Sequence, residues 1–314
     1  MTPRIQQLRE QSLHAINRIS AERALLITEY YQHHVNPDDS IPVQRAKAFQ
    51  YLLANKTICI NDNELIVGER GPEPKATPTY PEINVHSLKD LDILNTREKV
   101  WFSVDEPTRE AYEKVIIPFW KGRSNRDRIM ASMTKEWLDA YEAGIFTEFM
   151  EQRAPGHTAA GYKLYRKGML DILSDIEDSV AALDVKNDPE SANKAEELKA
   201  MKIVAEVIML YANRHAEKLK ELANIETNPA RKAELTEMAA ICRRVPAHGI
   251  SITKFHLKTV LISLSGTYFI QCRKLLKRSM RQGQKSVKFV RIHIILFILP
   301  VNFTQRRIRI SENE

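Results

Sequence analysis

A chain of 314 residues that is 43% apolar is long enough to bury a substantial core, as one large or two ordinary domains. Its three cysteines, Cys59, Cys242 and Cys272, are widely spaced with no CxxC pair, which argues against a disulfide framework or a zinc ribbon and fits a reducing cytoplasm. The net charge of +7 is unevenly placed: Gly249–Glu314 holds 13 Lys plus Arg against 2 Asp plus Glu, or +11, which leaves Met1–His248 at −4.

The N-terminus is charged throughout and has no apolar run before a small-residue cleavage site, so it does not read as a secretory signal. Apolar residues at Ile5, Leu8, Leu13 and Ile16 predict a first helix. Leu25, Leu26, Ile27 and Tyr30 predict a second, with Ser20 as a candidate N-cap. A third starts at Ile41-Pro42 and runs through Ala46, Phe49, Leu52 and Leu53, because proline is tolerated at the first helical positions. Ile58 and Ile60, the turn formers Asn61-Asp62-Asn63, and Leu65-Ile66-Val67 then predict a short β-hairpin.

Gly68 to Ile83 is rich in proline and glycine and predicts a loop. Helical patterns resume over about Ser87–Leu94, after Glu106-Pro107, and through Arg126–Ala143, with Trp101, Phe119, Trp120 and Trp137 as large core candidates. Three further helices are predicted near Lys163–Leu183, Ala192–Glu226 and Asn228–Arg243, and His215 lies on the apolar face of the second as a structural residue. From Gly249 the texture turns β-branched and basic, and no acidic residue occurs between Glu237 and Glu312. The most apolar stretch there, His293 to Val301, falls far short of the roughly 20 residues of a membrane-spanning helix.

Few residues carry a recognisable chemistry. His33-His34 and Asp38-Asp39 lack metal-ligand spacing and read as a solvated helix end. No GxxxxGK[ST], HExxH, GxSxG or GxGxxG motif occurs, so nucleotide, zincin and serine hydrolase readings have no support. The most informative segment is Ala140 to Thr158, where a helix ends near Gly144 and a loop offers Phe146, Glu148, Phe149, Glu151, Arg153 and His157. Aromatic residues beside polar groups can line a pocket, and packing plus surface pairing explains the same pattern equally well.

The segments ERALLITEYYQ, RAKAFQYLLANKTICINDNELIVGERGPEPKATPTYPEI, IIPFWKGRSNRDRI, EWLDAYEAGIFTEFMEQRAPGHT and CRRVPAH together resemble glycyl radical enzymes of the pyruvate formate-lyase superfamily, over Met1 to His248. Within that family the GER-to-TYPEI loop and the FTEFMEQRAPGHT segment look most like hydroxyproline dehydratases. The resemblance implies an α/β fold, a ten-stranded barrel enclosed by helices, of which this chain would hold a mostly helical N-terminal fragment with a short hairpin. It implies a post-translational glycyl radical installed by a radical S-adenosylmethionine activating enzyme, a cysteine thiyl radical that takes a hydrogen atom from the substrate, and loss of water. A homodimer is the implied assembly. Residues matching Phe149 and His157 lie against the small-molecule substrate in that family, which makes them the substrate-binding candidates here.

The match stops at the tail. Neither the glycyl-loop motif of the form RVAGYSDHF nor a Cys-x-Glu motif occurs, so no catalytic residue, cofactor-binding residue or metal ligand is assigned to this chain, and none of its cysteines is given the thiyl role. Residues 249–314 are read as an unrelated basic tail from a shifted reading frame or foreign sequence, and the chain as a truncated, inactive member of its family. Alternatives are a fragment of another glycyl radical lyase or formate C-acetyltransferase-like enzyme, and a non-catalytic binding protein whose tail residues Arg273, Lys274, Lys277, Arg278 and Arg281 meet an anion. No nucleic-acid motif frames those residues, and no membrane span is expected.

Overall fold

The computed structural model describes residues 2–146 and 166–249. Its spine is a 35-residue helix, α10 (Ser191–Ile225), against which three other helices pack extensively. Helix α11 (Pro229–Arg244) folds back along it after a short turn. Asn228 fixes that turn, because its Oδ1 accepts the otherwise orphaned N–H groups of Ala230 and Arg231. Between the two helices Ala216, Leu219, Ala223, Leu235, Met238 and Cys242 form a closed apolar layer, with Val67 as a lid from the preceding loop.

Helix α3 (Ile41–Asn55) lies against α10 through Val43, Ala46, Leu53, Ala200, Val207 and Tyr211. Small residues at 46 and 200 let the backbones approach, and polar ties close both ends: Ser40 Oγ donates to Glu196 (2.7 Å), and Arg214 donates to the carbonyl of Leu53 (2.6 Å). Helix α9 (Met169–Ala181) covers a further face through Met169, Ala205 and Ile208.

A second apolar cluster gathers the N-terminal helices. Ala24, Ile27 and Tyr30 of α2 (Glu22–Glu29) and its π-helical extension to His34 meet Ala48 of α3 and Leu91 of α4 (Leu88–Thr96). They also meet Tyr112, Ile116 and Trp120, from a continuous segment made of α5 (Glu106–Ala111), a π-helical turn (Tyr112–Ile116) and α6 (Ile117–Trp120). Pro118 accounts for the π-turn: it has no N–H to offer the carbonyl four residues back, and the register shifts so that Ile117 N–H reaches Tyr112. Trp120 Nε1 donates to Thr28 Oγ1 (2.8 Å), which itself donates to Ala24 O (2.6 Å), so the indole is tied to α2, whereas the buried Tyr30 hydroxyl of the same core has no hydrogen-bond partner among the described residues.

The extended structure differs from expectation. Ile58–Val67 forms no hairpin: Asn63 takes a left-handed φ of 60° and the turn exists, but no ladder joins its arms. Among the described residues the sheet is instead a parallel pair, β1 (Arg18–Ser20) with β2 (Ala76–Pro78). Ile19 N–H also donates to Ser103 O (2.9 Å), so three segments far apart in sequence converge there. Ser20 ends a strand and is not the N-cap of α2; that position is Ala21, and Ser20 Oγ accepts from Glu22 N–H (3.4 Å).

Helix α1 (Pro3–His14) stops short of Ile16 and is held by the ion pair of Arg4 with Glu234 on α11 (2.8 Å). The predicted helix over Arg126–Ala143 is two, α7 (Asn125–Ala131) and α8 (Lys135–Glu142), each opened by a hydroxyl cap, Ser124 and Thr134. Of the large core candidates Trp120 is buried, Phe119 and Trp137 are half-buried, and Trp101 is exposed. Among the described residues no helix is long and apolar enough to cross a membrane.

Candidate functional site

The segment singled out from the sequence begins where α8 ends. Gly144, with φ +73°, turns the chain out of the helix, and Gly144 and Ile145 N–H close the end on Tyr141 and Ala140 carbonyls (3.0 and 3.1 Å). Tyr141 stacks on Trp137 with ring centroids 5.5 Å apart, and Phe146 leans on Trp137 at 4.9 Å. Arg126 donates to the Tyr141 hydroxyl (3.0 Å) and fixes this aromatic step. The substrate-binding candidates Phe149 and His157 lie outside the described residues, as do Glu148, Glu151 and Arg153.

The chain re-enters at Arg166, and its downstream flank is fastened just as firmly. Met169 and Leu170 N–H, at the start of α9, donate to the carbonyls of Pro246 (2.7 Å) and Ala247 (3.1 Å), while Gly168 N–H donates to Asp171 Oδ2 (2.8 Å). The backbones are so close that a Cβ on Gly168 would stand 2.4 Å from Ala247 O. The VPAH strip therefore serves as the N-terminal cap of α9.

A second constellation, which sequence reading did not single out, lies between α2, α3, α10 and the loop from Gly68 to Ile83. A cleft of about 80 Å³ opens there, walled by Ile27, Phe49, Leu52, Leu53 and Pro78 and edged by Glu22, Arg23, Lys56, Arg70, Tyr80 and Tyr211. Arg23 is committed to its own framework. It forms a two-pronged ion pair with Glu82, donates to Thr79 O (3.0 Å) and stacks over Tyr80 at 3.9 Å. Burial alone would lower its pKa, but the Glu82 carboxylate outweighs this and raises it, so the guanidinium is charged at any ordinary pH.

Lys56 is different. It is 8% exposed, its Nζ donates to the carbonyls of Arg70 (2.9 Å) and Glu69 (3.4 Å), and it forms no ion pair among the described residues. Burial pushes its ammonium down to about 8. The Tyr211 ring stands 5.4 Å away, and the phenol is raised above its ordinary range chiefly by burial. These residues were missed because a single lysine after a helix and one tyrosine on an apolar face carry no spacing signal. The usable hint was Arg23, a cation in the inward run Ala24–Ile27.

The remaining polar residues agree with their structural readings. His215 is 1% exposed; its Nδ1 lies 2.9 Å from Tyr211 O, and burial holds it near 4, hence neutral. Cys242 is sealed in the α10–α11 layer, and burial pushes its thiol up to about 12. Cys59 is half-buried, bonded to Asn61 Oδ1 (3.4 Å) and raised to about 11 by burial. Neither thiol lines the cleft. His33, His34 and Asp38 are exposed, as a solvated helix end requires, and His34 packs on Tyr51 (4.7 Å), but Asp39 departs from that reading: its side chain is 8% exposed and pairs with Lys47 (2.6 Å). Among the described residues no group of three His, Cys, Asp or Glu side chains could hold a metal ion.

Residues 1–251 match the family described as pyruvate formate lyase-like. The chain belongs to that family. It is 48% identical over 245 residues to trans-4-hydroxy-L-proline dehydratase of Clostridioides difficile, covering 78% of this chain and 31% of the relative. The crystal structure of that bacterium's hydroxyproline dehydratase with trans-4-hydroxy-L-proline bound superposes with a TM-score of 0.74 at 47% identity, over 79% of this chain and 31% of the other. The B12-independent glycerol dehydratase of Clostridium butyricum follows at 0.72 and 32%, over 80% and 32%. The fold is thus the helical N-terminal part of a glycyl radical enzyme barrel protein, and the chain spans about a third of the length of the relatives it matches.

Proposed function

We propose that residues 1–251 are the N-terminal part of a glycyl radical dehydratase whose reaction is the radical dehydration of trans-4-hydroxy-L-proline or a related small hydroxylated substrate. The observation that carries this reading is the 48% identity to the hydroxyproline dehydratase across 78% of the chain. Phe149 and His157 are proposed to contact the substrate, on the resemblance of the FTEFMEQRAPGHT segment to that of the hydroxyproline dehydratases. In the cytoplasm, which suits the free thiols of Cys59 and Cys242 among the described residues, the whole protein would be a homodimer served by an S-adenosylmethionine-dependent activating enzyme.

The 314 residues by themselves do not perform this chemistry. They contain no glycyl-loop motif and no Cys-x-Glu motif, and the described cysteines do not fit the thiyl role. Residues 252–314, beyond the family match, are proposed to be unrelated to the family, on their +11 charge and the absence of acidic residues from 238 to 311. Anaerobic incubation of the chain with an activating enzyme, S-adenosylmethionine, a reductant and hydroxyproline is expected to give no glycyl radical by electron paramagnetic resonance and no dehydrated product. A radical doublet on this chain, or turnover, overturns the proposal.

A further inference from the structure

The cleft between α2, α3 and α10 has properties that packing alone does not require. Two cations, Lys56 and Arg70, face it without an ion pair among the described residues. Lys56 is held through its neighbour's own main chain, since Nζ donates to Arg70 O, and with two carbonyls as acceptors the ammonium keeps a third N–H. Tyr211 is 3% exposed and borders the cleft, with its ring 5.4 Å from the Lys56 ammonium. A buried ammonium whose hydrogen bonds go to neutral carbonyls, beside a phenol that borders the same cleft, is an arrangement that an anion completes.

The charge and the walls narrow the choice of anion. Arg23 is neutralised by Glu82, and the Glu22 carboxylate, which accepts from Thr57 N–H (2.8 Å), offsets one of the two remaining cations. One net positive charge is left, which suits a monoanion. Apolar side chains from α2 and α3 wall the rest, so a dianion such as phosphate would lose hydration with only one net positive charge to offset its two negative ones. At about 80 Å³ the space is well below the roughly 300 Å³ at which drug-sized pockets begin, so only a few heavy atoms fit. We infer that this cleft binds a small monocarboxylate with a short apolar body, its carboxylate taken by Lys56, Arg70 and the Tyr211 hydroxyl and its carbon chain laid against Phe49 and Leu53.

The test titrates the full 314-residue chain with sodium propionate at pH 7 by calorimetry, with chloride holding ionic strength constant, and repeats the titration with inorganic phosphate. Saturable propionate binding is expected, weakened about tenfold by Arg70→Gln, the usual scale for losing one charge-assisted hydrogen bond. Tyr211→Phe is expected to weaken it severalfold. Lys56→Gln should abolish it, and because Lys56 is buried, circular dichroism must first show that this variant folds. Arg70 is only half-buried, so its variant tests the site whether or not the Lys56 variant folds. Absence of saturable binding, or binding unchanged in both Arg70→Gln and Tyr211→Phe, overturns the site. Phosphate binding as tight as propionate overturns the carboxylate assignment.

Discussion

Glu82→Gln tests the framework that shapes both the Gly68–Ile83 loop and the cleft. Arg23 and Glu82 are only 12% and 9% exposed at their side chains, so solvent screening gives little relief when one charge is deleted. The variant leaves the guanidinium with Thr79 O and the Tyr80 ring as its fixed partners, and breaking one side of a buried pair costs about 3–5 kcal/mol. That is a large share of a typical domain stability of about 5–15 kcal/mol. Removing both charges, in Arg23→Met with Glu82→Gln, should cost less than the sum of the single changes, since no uncompensated ion remains buried. Urea unfolding followed by circular dichroism measures all three variants. A Glu82→Gln loss below about 1 kcal/mol, or strictly additive single and double variants, would refute the reasoning.

Gly168→Ala should destabilise by about 1–3 kcal/mol, because its Cβ would meet the backbone of Ala247 and His248 at 2.4 Å, where no side chain can yield. Hydrogen exchange should show the amides of Met169 and Leu170 losing protection first, and unchanged protection there would dismiss the VPAH strip as a cap. For His215 the folded pKa, near 4, lies below the ordinary value of about 6.5, so the unfolded chain binds the proton more readily. Its contribution is therefore complete above pH 6.5 and is lost as pH falls towards 4, by about 3 kcal/mol in total. His215→Phe should flatten urea midpoints across that window, and an equal slope in both proteins would rule this out.

Local chemistry made much of the helical architecture legible. Ile41-Pro42, Asn228-Pro229 and the i, i+3, i+4 apolar rows of residues 192–226 mark helices by rules confined to one or two turns, and the structure has helices there. The Gly144 helix stop is equally local, since an αL exit needs a residue without a Cβ penalty. The family resemblance was likewise carried by the residues of the chain. The expected hairpin failed because alternation at Ile58, Ile60 and Leu65–Val67 specifies half-buried residues but not a strand partner. Val67 is buried by the α10–α11 layer, so packing against helices took the place of a ladder.

Tertiary structure alone decided what lies far apart in sequence. β1 is a strand only because residues 76–78 and Ser103 reach it, and three isolated residues have no periodicity to read. Likewise, nothing local distinguishes Lys56 from a solvated lysine at a helix end. Its burial against Tyr211, 155 positions later, follows from α3 and α10 docking along their small residues, a long-range packing outcome that desolvates the ammonium and opens the cleft.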